Sequence, residues 1–252
     1  METKNSLHTL KNNLPTIIIA LTIIVTAGIF ANAYKAKFKK QVTISVTGLA
    51  EKSFASDLIV WRGEYQRKSS DLKAAYALIK NDEANVRQYL RSNSITEKEF
   101  VFSSISIEKE FDTKYNDEGK QISSVFTGYK LSQMVTVESK NIDKVEVVSR
   151  EVTKLIESGI EISSLEPSYF YTKLSELKID LLAKASADAK KRAETIAENS
   201  GGALGKLLKA DMGVFQITAP NSNEDFSYGG AFNTSSKNKK ASITIRINYA
   251  IE

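Results

Sequence analysis

A chain of 252 residues with 42% hydrophobic and 26% charged side chains is long enough for one good-sized core and too polar to be a polytopic membrane protein. It has no cysteine, which excludes disulfides and thiolate chemistry, and its one histidine, His8, precedes the apolar segment, which excludes Ser-His or Cys-His pairs and histidine metal sites from the folded part. Of 35 basic and 30 acidic residues, six lysines and Glu2 fall within 1–40, leaving 29 of each sign beyond; the net +5 therefore gives no basic footprint for nucleic acid.

Residues 1–13 form a short N-terminal tail. Residues 14–34 then read LPTIIIALTIIVTAGIFANAY without a charge, and at about 1.5 Å per residue such a helix spans a ~30 Å hydrocarbon layer. Ala31-Asn32-Ala33 has the small-x-small form of a signal-peptidase site, so cleavage after Ala33 is the competing outcome. The run exceeds the usual ~7–15 residues of a cleaved signal, and an uncleaved transmembrane signal anchor is expected. The basic stalk at 35–40 holds Lys35, Lys37, Lys39 and Lys40, which suit lipid headgroups. Charge alone favours a cytoplasmic C-terminal part. The signal-like layout at the amino terminus favours the outer side.

Strand and helix signals then alternate. The runs 41–48 and 57–68 are rich in β-branched and aromatic residues and read as a first strand pair. Leu72, Tyr76, Ile79, Val86 and Leu90 share one helical face, with Ser70 or Asp71 as N-cap. Two extended runs, 99–111 and 124–139, are joined by Asn116-Asp117-Glu118-Gly119 as a hairpin connection. A second helix is predicted over 142–157 from Ile142, Val145, Val148, Val152, Leu155 and Ile156, capped by Asn141 and stopped by Gly159. A strand near 160–170 follows, with Pro167 marking an edge or bend.

The longest helix is predicted at 174–199, where Ala183, Ala185, Ala187, Ala189, Ala193 and Ala197 let it lie tight against a sheet or, alternatively, form an intersubunit seam, and Gly201-Gly202 ends it. Strands at 211–218 and 240–251 close the chain, the second with Ile243, Ile245, Ile247 and Tyr249 on one face. Between them, 219–240 is rich in Ser, Asn and Gly and reads as a flexible loop, either a solvated linker in which Phe226, Tyr228 and Phe232 are incidental or a contact segment that orders on an envelope protein partner. Asn233-Thr234-Ser235 fits a glycosylation sequon of little weight. The predicted fold is α+β: antiparallel sheet with packed helices, order roughly ββαββαβαββ, after one N-terminal transmembrane helix.

No catalytic, cofactor-binding or metal residues emerge. Glu108, Glu110, Asp112, Asp117 and Glu118 crowd the 99–139 hairpin, but nothing fixes two of them at a catalytic separation. Gly201-Gly202-Ala203-Leu204-Gly205-Lys206 follows a helix rather than a strand and lacks a Ser or Thr after the lysine, so it is a helix C-cap and not a phosphate loop.

Several pieces in order resemble the SIMPL-domain (DUF541) family of bacterial periplasmic and envelope proteins, which includes an oxidative-stress defence protein. They are Val42 to Gly48 followed by Ser56-Asp57; Gly128-Tyr129-Lys130 before Asn141-Ile142-Asp143-Lys144-Val145; and Ala185, Ala189, Arg192, Ala193 and Ala197 before Gly202, Leu204, Gly205 and Lys206. Ser56 stands where that family usually has proline, Asn93 where it tends to glycine, and Trp61 has no counterpart. The resemblance covers about 41–252. It implies an exported α+β domain with no established catalytic residues or cofactor, self-assembly in at least some members, and a link to stress resistance. The expected protein is non-enzymatic, without cofactors, held in the bacterial cell membrane by a single pass at 14–34 with its C-terminal domain in the periplasm. It is expected to act as a homo-oligomer or through an envelope partner, without nucleic acid. The alternative is a soluble secreted periplasmic module that binds a small ligand after signal cleavage.

Overall fold

A computed structural model describes residues 3–38, 42–222 and 227–252. The elements are α1 (Thr3–Phe38), β1 (Thr43–Ala55), β2 (Leu58–Ser69), α2 (Leu72–Ser92), β3 (Phe100–Phe102), β4 (Ser106–Tyr115), β5 (Gln121–Ser139), α3 (Ile142–Glu151), a 3-10 helix (Val152–Ser158), β6 (Ile162–Ser164), β7 (Ser168–Phe170), α4 (Leu174–Asn199), β8 (Leu204–Met212), β9 (Gln216–Thr218) and β10 (Asn238–Ile251). The fold is α+β, as the sequence predicts.

The order is richer than ββαββαβαββ. The 99–111 run breaks in two because Ser103 leaves the strand line, its N–H donating to Met134 O while its Oγ accepts from Met134 N. The 160–170 strand breaks at Pro167, which has no N–H to donate. The second helix tightens into 3-10 from Val152 before Gly159 takes the left-handed conformation, φ 75°. Leu204–Met212 is a strand that the sequence does not signal, and the predicted 211–218 strand is the end of β8 plus the short β9. The caps hold: Asp71 Oδ1 accepts from Ala74 N at 2.7 Å, and Asn141 Oδ1 accepts from Lys144 N at 3.2 Å.

The chain forms two compact units. The first comprises Met1–Ser45, Ala193–Lys209 and Asn248–Glu252. It contains α1, whose Ile18–Lys35 stretch is long and apolar enough to cross a membrane and has nothing packed on it. Thr22 and Thr26 donate their hydroxyls to the carbonyls one turn back, Ile18 O and Thr22 O. Elsewhere in this unit the chain end closes a sheet: Ala203 and Glu252 exchange N–H···O bonds, and Ile251 N donates to Val42 O.

The second unit, Val46–Arg192 with Ala210–Ile247, holds the larger core. Its main sheet has the order β3-β5-β2-β6, with β4 added to β5 and β7 to β2. Its ladders are antiparallel, β2 and β5 running in register from Ile59↔Ser139 to Ser69↔Tyr129. Trp61, Tyr65, Val135 and Val137 of this sheet pack against Ile79, Val86 and Leu90 of α2 and Val145 and Val148 of α3. Trp61 is fully buried and donates Nε1–H to Ser164 Oγ, which in turn donates to Ser149 O.

The other sheet has the order β1-β10-β8, with β9 paired to β10. Ile243, Ile245 and Ile247 are buried in alternation as predicted. On β1, Val46, Gly48 and Ala50 face α4, whose Leu177, Leu181, Ala185 and Ala189 recur every four residues; Ala183 and Ala187 face solvent. A Cβ on Gly48 would collide with Ala185 O and lie 2.6 Å from Ala189 N. Close approach of helix and strand therefore rests on small residues on both sides. At the outer edge of β1, Leu49 N donates to Asp188 Oδ2 at 2.9 Å.

Candidate functional site

Three regions stand out. The first is the β4–β5 ribbon. Among the described residues β5 has no second partner beyond the Ser69↔Tyr129 pair and β4 pairs with β5 alone, so the distal ribbon is two strands wide. Gly128 makes the exit possible: its φ is 149°, and a Cβ there would lie 2.6 Å from Ser69 O. Irregularities at Glu110/Phe111 and Lys114/Tyr115 increase its twist. Ile107, Phe111, Tyr115, Ile122 and Val125 are each more than half exposed. Phe111 and Phe126 meet edge-on at 5.7 Å, and Phe126 and Tyr129 at 5.1 Å. The acids predicted to crowd this hairpin do not converge. Glu108 pairs with Lys130 and Glu110 with Lys68, while Asn116 Oδ1 closes the turn by accepting from Glu118 N and Lys120 N.

The second is a polar network beneath α2 that sequence reasoning missed. Ala75, Ile79, Asp82, Val86 and Leu90 form the buried face, whereas Leu72 and Tyr76, predicted to lie on it, are exposed. Asp82, nearly fully buried, takes Arg67 Nε and Nη2 on its two oxygens. Next to it Tyr65 Oη donates to Gln133 Oε1 at 2.7 Å, and Gln133 Nε2 donates to Glu83 Oε2 and Ser103 O, both at 3.0 Å. Lys80 and Arg87 complete the shell of Glu83, and Arg87 stacks over Phe102 at 4.9 Å and reaches Glu97. Burial pushes the Glu83 carboxyl up, but the bonds from Lys80, Gln133 and Arg87 outweigh it and hold the group below its ordinary value. Burial, with the fields of Glu83 and Asp82, drives the Tyr65 phenol well above its ordinary value. The network is a rigid clamp with both carboxylates saturated. Asp82, placed between Ile79 and Val86 on an otherwise apolar face, was the available signal.

The third is the segment after β9. Phe226 lies outside the described residues; Tyr228 is fully exposed and Phe232 half exposed. The described part is tied down. Buried Gln216 donates Nε2–H to Ser227 O at 2.8 Å and accepts from Ala231 N at 2.6 Å, and buried Lys239 donates to Asn233 O and Ser236 O. The sequon asparagine is engaged in its own turn, Ser236 N donating to Asn233 Oδ1 at 2.9 Å. Among the described residues no three His, Asp or Glu side chains group as metal ligands. The predicted helix cap at 201–206 holds in part: Gly201 is left-handed and Gly202 N reaches Ala197 O, but β8 starts at Leu204.

Two antiparallel sheets with packed helices define an α+β protein, and its apolar helix is long enough to serve as a membrane anchor or a signal segment. Residues 44–249 match the family described as "SIMPL: Protein of unknown function (DUF541)", and the chain belongs to that family. No curated protein matches the chain.

Proposed function

We propose that the protein is a non-enzymatic, single-pass component of the bacterial cell envelope, anchored by residues 14–34 with its C-terminal domain in the periplasm, and that it works by self-association through the β4–β5 ribbon. The observation that carries this is the ribbon itself: a ten-residue edge strand with a free row of N–H and C=O groups and apolar side chains left in solvent. An anchor rather than a cleaved signal is supported by the helix running unbroken through Ala31-Asn32-Ala33 to Phe38. The non-enzymatic reading is supported by the saturation of Asp82 and Glu83, the two acids set deepest in the larger core. A contribution to envelope stress resistance rests on the family resemblance and is part of the same proposal.

The test is the native mass of the full-length protein in nanodiscs, with intact mass spectrometry on the same sample. A discrete oligomer that retains residues 1–33, and falls to monomer in Phe111→Ser/Val125→Lys with an unchanged melting temperature, is expected. A wild-type monomer overturns self-association, and loss of residues 1–33 overturns the anchor.

A further inference from the structure

The face of the β1-β10 sheet turned away from α4 carries a trough. Leu49, Val214, Tyr228 and Thr244 line an open cavity of about 670 Å³, within the ~300–1,000 Å³ range of small-molecule sites. Thr244 also lines the neighbouring cavity of about 330 Å³, together with Met212 and Arg246, so the two cavities adjoin at this residue.

One wall of this trough is built. Gln216 is buried, and both ends of its amide are used to hold the Ser227–Ala231 turn: Nε2 donates to Ser227 O, and Oε1 accepts from Ala231 N and Ser227 N. Gly230 closes the turn at φ 93°, with Gly230 N donating to Ser227 O at 3.0 Å. Ordering such a turn costs chain entropy. It is not repaid by covering the floor, because Leu49, Val214 and Met212 stay 43%, 45% and 64% exposed.

The trough has a chemical polarity. Near the turn, Glu51 is neutralised by Lys240 at 2.7 Å, leaving an apolar end. At the far end Arg246 is exposed, and its guanidinium has no ion-pair or hydrogen-bond partner among the described residues. Asp211 lines the same cavity and disfavours a doubly charged group there.

We propose that this trough binds a monoanionic amphiphile, with its acyl chain along Leu49, Val214 and Tyr228 and its carboxylate or phosphodiester at Arg246. Apolar burial supplies the affinity, and the planar guanidinium fork fixes which end of the chain enters where.

The probes are palmitate bearing a chain diazirine, its methyl ester, and phosphatidylglycerol bearing the same acyl chain, each photolysed in proteoliposomes with the full-length protein and mapped by peptide mass spectrometry. One or both acidic probes are expected to label the peptides holding Val214 and Tyr228, and the one that does names the source, free acid or phospholipid. Arg246→Gln should lower that labelling at least fivefold while sparing the methyl ester. Thr244→Trp should abolish labelling by every probe, and Leu49→Lys, at an exposed position, repeats the block should the tryptophan impair folding. Labelling confined to α1, or unchanged in Arg246→Gln and in both blocking variants, overturns the proposal. The Phe111→Ser/Val125→Lys protein should label as wild type, which separates failure here from failure of the self-association reading.

Discussion

Gly48 of β1 and Ala189 of α4 lie so close that a Cβ on the glycine would stand 2.7 Å from the alanine Cβ. Helix and strand can meet at that distance only because neither residue carries more than one carbon there. Gly48→Ala should therefore destabilise the protein by about 3 kcal/mol, the upper range for overpacking, since the colliding atoms include backbone at Ala185 and Ala189. Chemical denaturation followed by circular dichroism checks this, and Gly229→Ala, at a position of ordinary φ where a Cβ would meet only Ser227 Oγ at 3.8 Å, is the comparison.

Asp82 and Arg67 form a two-point ion pair with the carboxylate almost completely out of water. Removing one charge strands the other, so Asp82→Asn should cost about 3 kcal/mol. The paired change Asp82→Leu/Arg67→Met should recover most of that loss, because a well-packed apolar pair of similar volume avoids desolvating either ion. A double-mutant cycle on denaturation free energies reads both numbers.

Acid should weaken the fold through Glu99. Ser139 Oγ, Thr96 N and Thr96 Oγ1 all donate to its carboxylate and hold it below its ordinary value of 4.5. A carboxyl depressed in the folded state adds stability above its unfolded value, and that stability disappears as pH falls through the folded one. The stability of wild type should thus decline below about pH 4.5, and Glu99→Gln should decline less steeply over the same interval. Urea midpoints at stepped pH give the comparison.

At the alkaline end the sign reverses. Burial lifts Tyr65 far above the phenol value of 10.0 and pushes Tyr89 up to about 12. Phenols kept neutral by folding add stability below pH 10, which is lost as pH rises. Ultraviolet titration at 295 nm should show Tyr65 and Tyr89 ionising after the exposed tyrosines, Tyr65 together with unfolding. Tyr65→Phe should remove the latest step.

Ser56 offers a gain. Its Oγ is buried with no hydrogen-bond partner among the described residues, while its backbone N–H donates to Lys237 O at 2.9 Å. Ser56→Ala removes the unpaired hydroxyl and keeps the backbone bond, and should raise stability by about 1 kcal/mol in thermal unfolding. Ser56→Pro sacrifices the bond to Lys237 O and should give no such gain.

What was legible in the sequence was whatever a local period writes. The β10 alternation, the alanine helix and the Asp71, Asn141 and Gly159 punctuation follow from two- and four-residue spacings, and the structure keeps them. The α2 face departs from its sequence pattern at Leu72 and Tyr76 because a buried acid looks like a surface residue until its partner on another strand is known; Arg67 lies 15 positions away from Asp82. β8 was missed because Leu-Gly-Lys-Leu-Leu-Lys-Ala-Asp-Met has no alternation, and none of its residues is buried. The trough was illegible for a related reason: Leu49, Val214 and Arg246 come from three separate stretches, and only strand pairing and the Gln216-held turn bring them into one place.

The bond from Leu49 N to Asp188 bears on life at a crowded surface. Copies held on one membrane would meet at high effective concentration, where the bare amide of a strand margin invites a neighbour's carbonyl. At Leu49 that amide is already occupied by a carboxylate delivered from α4, so an incoming strand finds negative charge where it needs a donor. A single aspartate thus closes this position of the margin to strand addition, whereas no such carboxylate caps the β4 edge of the ribbon among the described residues.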